Sequence, residues 1–218
     1  MPGRISVADV RGAFARRPGS PADPPAPALG DPAVGDPPVL PSLPPDLPAT
    51  DPRPAAVLCA LFEEGGQAHV VLTRRSRRLR SHTGEVAFPG GRLDAGEGPS
   101  GAALREAEEE VGLDPSSVEI IGALTPLSTL TSRSAIMPFV AVLPGRPALV
   151  PNPAEVERVF AVPLVDLVAP GAYHAELWDV LGRPERPIHF FDLPGETVWG
   201  ATARLLRELL DRVLGADR

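Results

Sequence analysis

The stretch from Gly91 to Leu113 constrains this chain more than any other. Gly91, Glu97 and the run Arg105-Glu106-Ala107-Glu108-Glu109-Glu110-Val111-Gly112-Leu113 crowd carboxylates along one segment with helical punctuation at both ends. Pro99 suits a first helical turn, where its missing N–H has no partner to lose and its φ is already helical. Gly112 suits the C-terminal cap, so a helix is predicted over Pro99–Val111. At about 100° per residue, Glu106, Glu109 and Glu110 share a face with Ala102 and Ala103, while Leu104, Ala107 and Val111 fall opposite and pack. Like charges at i, i+3 and i+4 repel and raise one another's pKa. A divalent cation removes that conflict. All-oxygen ligands with no nearby Cys or His suit a hard ion, Mg2+ or Mn2+, which shares its shell with water and substrate phosphates. Arg105 lies one turn before Glu109 and is placed to reach back to Glu97 as a bidentate partner. A solvated Glu/Arg helix with no site is the plain alternative.

The segment matches GX5EX7REUXEEXGU, with U an aliphatic residue, at every specified position. It resembles the box of the Nudix hydrolases. Just upstream the chain reads Val71-Leu72-Thr73-Arg74-Arg75-Ser76, then Arg80, Gly84 and Phe88-Pro89-Gly90-Gly91. This is similar to LLTXRSX3RX3GX3FPGG, the further signature of the coenzyme A pyrophosphatase branch, with Val71 in place of the first Leu. The resemblance extends to Glu155-Val156, to Phe160-Ala161-Val162-Pro163 and to Val198-Trp199-Gly200-Ala201-Thr202-Ala203, covering roughly residues 55 to 205.

That resemblance implies a Nudix-type α/β/α sandwich, a mixed sheet between helices with the box as loop-helix-loop. It also implies hydrolysis of the diphosphate linkage of coenzyme A or an acyl derivative, giving 3',5'-ADP and a 4'-phosphopantetheine product. Glu106 and Glu110 are then the principal metal ligands, and Glu109 is a further ligand or the group that deprotonates water. Glu97 and Arg105 orient that cluster, and Glu155 is an alternative general base in a loop facing the metal. Arg75 and Arg80 offer planar, permanently charged groups to phosphate, beside Gly90 and Gly91 on the substrate side. ADP-ribose or NADH is the alternative substrate. A non-catalytic domain that senses a nucleotide is the alternative class, disfavoured because a sensor has no physical need for Glu106, Glu109 and Glu110 together.

Composition bounds the partners. Net charge −7 and a pI near 5.1 exclude a global basic footprint for nucleic acid, despite six Arg between positions 74 and 92. No stretch reaches the roughly 18 apolar residues of a membrane span, and the first residues lack the apolar core of a signal peptide, so a cytoplasmic location is expected. The single Cys59, in an apolar run, reads as a buried strand thiol. A small-molecule nucleotide is the expected partner, and a homodimer is compatible with the sequence.

The expected layout is an N-terminal extension over 1–54 and a catalytic domain over 55–218. The extension opens with a short amphipathic helix capped by Ser6 and continues through a proline-dense segment, as at Pro24-Pro25, Pro37-Pro38 and Pro44-Pro45. Strands are predicted at Ala55–Phe62, His69–Thr73, Val86–Phe88, Val118–Leu124, Met137–Leu143 and Ile188–Phe191. A helical turn is expected at Pro163–Val168 and a closing helix over Glu196–Leu214. Trp199 and Phe190 are expected in the core, and His82 in an exposed loop.

Overall fold

A computed structural model describes residues 3–15, 52–76, 84–129, 133–179 and 186–215. Most of the proline-dense segment lies outside them, as do Arg80 and His82. Two strands start the main sheet, β1 (Arg53–Glu64) and β2 (Gln67–Arg75), joined through the turn at Gly65 and Gly66 in antiparallel register. The chain continues through β3 (Val86–Ala87), β4 (Gly90–Arg92) and the helix Pro99–Val111. An N-terminal helix α1 (Val7–Ala15) precedes all of these, so the box helix is α2. Then come β5 (Glu119–Ala123), β6 (Leu127–Ser128), β7 (Ser134–Val142), β8 (Val156–Pro163) and the short α3 (Leu164–Leu167). A second sheet is made by β9 (Tyr173–Trp178), β10 (Arg186–Leu193) and β11 (Glu196–Trp199), and α4 (Gly200–Leu214) ends the described chain.

The main sheet is mixed, in the order β3-β2-β1-β7-β5, with β4 on β1, β6 on β7 and β8 on β2. β1 and β7 pair in parallel over nine residues from Arg53↔Ser134 to Leu61↔Val142. Strands covered on both faces read as continuous apolar runs, and β1 does so. Its Ala56, Leu58, Ala60 and Phe62 face α2, while Cys59 and Leu61 face the layer of α1 and α4. The result is an α/β sandwich. Cys59 is fully buried and desolvation pushes its thiol upward, which makes it a packing residue. Among the described residues no helix is long and apolar enough to cross a membrane.

α1 begins as expected at Ser6. The Asp9 N–H donates to the Ser6 hydroxyl at 3.2 Å and the Ser6 N–H to the Asp9 carboxylate at 2.8 Å, a reciprocal cap. Val7, Val10 and Phe14 then enter the main core, so this helix is part of the packed body.

Three expectations are corrected. The closing helix does not start at Glu196: residues 196–199 pair with β10 from Leu193↔Glu196 to Phe190↔Trp199, and the helix begins at Gly200, whose φ of 67° breaks the strand. Trp199 is 40% exposed and not core, because Val198 takes the buried side of that short strand. β8 and β9 were absent from the predicted strands; neither has a clean alternation of buried and exposed positions.

Candidate active site

α2 brings its carboxylates to the sheet through its small residues. Ala102, Ala103, Ala107 and Val111 are fully buried against β1 and β7, which lets the helix axis lie close to the strands. This differs from the predicted division of faces, in which Ala102 and Ala103 sat with the acids. Glu110 belongs to the packing stripe and is 2% exposed, Glu106 is half-buried at its edge, and Glu109 is exposed. Gly112 closes the helix in the left-handed conformation, and its N–H donates to the Glu108 carbonyl at 2.8 Å.

The two glycines of β4 make room for the acids. Gly90 pairs with Val57 and Gly91 with Ala56. A Cβ on Gly91 would overlap the Glu106 carboxylate, so that carboxylate rests against bare backbone. Gly90 has φ 153°, and a Cβ there would collide with the Ala56 carbonyl oxygen and the Val57 Cα, both rigid backbone. Its N–H donates to Glu110 Oε2 at 3.1 Å. Gly90→Ala is therefore expected to cost about 1–3 kcal/mol of stability, seen as a lower midpoint in thermal unfolding. An unchanged midpoint would contradict this packing.

Arg105 organises the other side. Its Nε and Nη2 donate to the two oxygens of Glu97, each at 3.0 Å, which is the bidentate contact expected from the sequence. Nη1 donates to Glu106 at 3.2 Å and Glu109 at 3.1 Å, and Nη2 also reaches the Arg92 carbonyl at 2.9 Å. The guanidinium hydrogen bond holds Glu97 below the usual carboxylate range, helped by the Asp94 N–H. One side chain thus joins the loop, β4 and two acids of α2.

The remaining pieces arrive from afar. Arg75, at the end of β2, places Nη1 3.5 Å from Glu110 Oε1. The loop before β8 docks on the C-terminal end of α2, where Val150 N–H donates to the Val111 carbonyl at 2.9 Å and Asn152 N–H to the Glu110 carbonyl at 2.8 Å. The Ser76 N–H donates to the Glu155 carbonyl at 2.8 Å. Glu155 is thereby held near enough for its charge to act on both Glu106 and Glu110. Burial raises Glu106 above its ordinary value, and burial raises Glu110 to about 7 against the opposing pull of the Gly90 N–H and Arg75. Neither the Arg75–Glu110 contact nor the docking of Asn152 has a local sequence signal, since each joins residues far apart in the chain.

Among the described residues no three His, Cys, Asp or Glu side chains close into a ready-made metal cage. Glu109 is turned to Arg105, and Arg75 stands beside Glu110. The donor set nevertheless fits a hard divalent cation. Glu110 is a buried acid whose charge is met by one N–H and one guanidinium at the long limit of an ion pair, and the acids whose charges reach it, Glu106 and Glu155, offer only oxygen. Glu109 is 54% exposed, where an ion pair contributes little and is readily exchanged.

The NUDIX domain family model matches residues 52–181. "Nudix hydrolase 22, chloroplastic" of Arabidopsis thaliana is 42% identical over 164 residues, covering 71% of this chain and 53% of that protein. "Uncharacterized Nudix hydrolase NudL" of Photorhabdus laumondii is 38% identical over 162 residues, covering 74% of this chain and 85% of that protein. The chain thus spans about half the length of the first relative and most of the second. In fold, it is similar to the MutT/nudix family protein from Enterococcus faecalis, with a TM-score of 0.53 at 19% identity, over 78% of this chain and 65% of that one. The chain belongs to the NUDIX domain family, and its class is that of the Nudix hydrolases.

Proposed function

We propose that this enzyme is a metal-dependent hydrolase of the diphosphate linkage in coenzyme A or an acyl-CoA, releasing 3',5'-ADP and a 4'-phosphopantetheine product. The observation that carries the reading is the placement of Glu106 and Glu110 against the bare backbone of Gly91 and Gly90, with Glu155 near enough for its charge to act on both. The substrate class rests on the residues from Leu72 to Gly91 that resemble the coenzyme A branch.

Glu106 and Glu110 would hold Mg2+ or Mn2+, with the exposed Glu109, now paired with Arg105, available as a further ligand. When bound, the cation neutralises diphosphate charge and favours deprotonation of water near neutral pH. Glu155 accepts the proton of the attacking water at its carboxylate. Arg105 is a positioning residue, since it fixes Glu97, Glu106 and the β4 backbone at once. Arg75 supplies positive charge at the end of β2, next to where phosphate enters, and Arg80 is assigned the same role. The catalytic unit begins near residue 55, with α1 contributed from the preceding segment.

The test is a product-resolved assay of the full chain with Mn2+, offering coenzyme A, acetyl-CoA, NADH and ADP-ribose in parallel. Release of 3',5'-ADP from the coenzyme A substrates is expected. Preferential cleavage of ADP-ribose or NADH would reject the substrate assignment and keep the reaction class.

A further inference from the structure

The face of the main sheet that carries Arg75 has a second feature. Phe62 of β1, Val71 of β2 and Val159 and Ala161 of β8 line an open cleft of about 90 Å3 with Pro147 and Leu149 of the loop before β8. Arg146, the charged group lining it, is already paired with Glu64 at 2.8 Å. The cleft is therefore apolar and without a free charge among its lining residues.

Its position relative to the acidic centre follows from register. Val71 is paired with Ala161 and Thr73 with Val159, and directly opposed residues share a face. The register with β8 shifts between Arg74 and Arg75, with Glu157 of β8 as the extra residue, so β2 keeps its period of two and Val71, Thr73 and Arg75 point to the side on which Arg75 meets Glu110. From Arg75 to Val71 is four residues along β2, about 13 Å at strand rise. The loop spans the same interval, with Leu149 in the cleft, Asn152 on the Glu110 carbonyl and Glu155 at the acids.

The substrate proposed above has a matching length. From its phosphorus to its sulfur, phosphopantetheine runs through about thirteen bonds; at the advance per bond of an extended backbone this is on the order of 15 Å. That length is comparable to the interval between Arg75 and the cleft, so a diphosphate at Glu106 and Glu110 would leave the sulfur within reach of it. At about 30 Å3 per molecule of liquid water, the space corresponds to about three groups of that size.

We propose that this cleft is the acyl subsite: it receives the apolar acyl end of a thioester substrate and limits it to a few carbons. This rests on the coenzyme A reading. Ala161 and Leu149 are then specificity-determining residues that do not touch the reacting phosphorus.

The test measures kcat/KM for coenzyme A, butyryl-CoA and decanoyl-CoA with the full chain and Mn2+. Wild type is expected to favour butyryl-CoA over decanoyl-CoA. Ala161→Phe fills the cleft and should lower the butyryl-CoA to coenzyme A ratio about tenfold or more. Leu149→Ala lengthens it and should raise the decanoyl-CoA to butyryl-CoA ratio, a gain that a folding defect does not produce. Ratios unmoved in both variants would overturn the acyl subsite alone. A wild-type chain that leaves all three substrates intact would overturn the coenzyme A reading and the subsite with it.

Discussion

Glu106→Gln is expected to lower kcat/KM for the diphosphate substrate by more than about a hundredfold and to leave the fold intact. Loss of groups that merely support a metal ligand typically costs 10–100-fold, so a residue proposed as a ligand itself should cost more. The fold should survive because the change is nearly isosteric and relieves repulsion. Glu106 is raised by burial first, against the charge and hydrogen bond of Arg105, and the charges of Glu109 and Glu155 add to the rise. A neutral amide at that position keeps the packing against Gly91 and removes an unfavourable charge. Thermal unfolding of the mutant should therefore match or slightly exceed wild type in the absence of metal. A mutant with most of its activity would sink the metal role of Glu106.

The second large effect is a pH dependence set by Glu110. Burial pushes the Glu110 carboxyl up to about 7, well above the usual carboxylate range. An acid with a raised folded pKa binds protons more tightly in the native state. Its contribution to stability is complete below about pH 4.5 and is lost as pH rises through about 7. At 1.36 kcal/mol per unit, the loss approaches about 3 kcal/mol across that window. In EDTA, wild type should lose stability between pH 5 and pH 8 relative to Glu110→Gln, whose curve lacks this component. Mn2+ should reverse the loss, stabilising wild type more at pH 8 than at pH 5, because the cation binds the ionised carboxylate and competes with the proton. Parallel curves for wild type and mutant would show that Glu110 does not carry the effect.

How far the sequence foretold this site depends on the range of each contact. The bounds of α2 are legible because Pro99 and Gly112 act within one helix, whereas the face that Ala102 and Ala103 take depends on the sheet they pack against. The Arg105–Glu97 contact was legible too, since it spans eight residues. The position of Glu110 in the packing stripe was not, because it depends on β4 having no Cβ where the helix approaches. Arg75 against Glu110 and Asn152 on the end of α2 are products of tertiary structure alone. In the second sheet, Glu196-Thr197 followed by an apolar run imitates a helix start, and only pairing with β10 reveals a strand. Tyr173–Trp178 gave no strand signal because its outer face is open and its residues are mostly exposed.

The central claim is that carboxylates of α2 hold a divalent cation on which turnover depends. Its most direct measurement is the rate of diphosphate cleavage by the full chain after metal removal, followed by stepwise return of Mn2+. The expected result is loss of turnover in EDTA and recovery that saturates with Mn2+, with no recovery in Glu106→Gln at the same concentrations. Turnover that continues at the original rate in excess chelator would contradict the account.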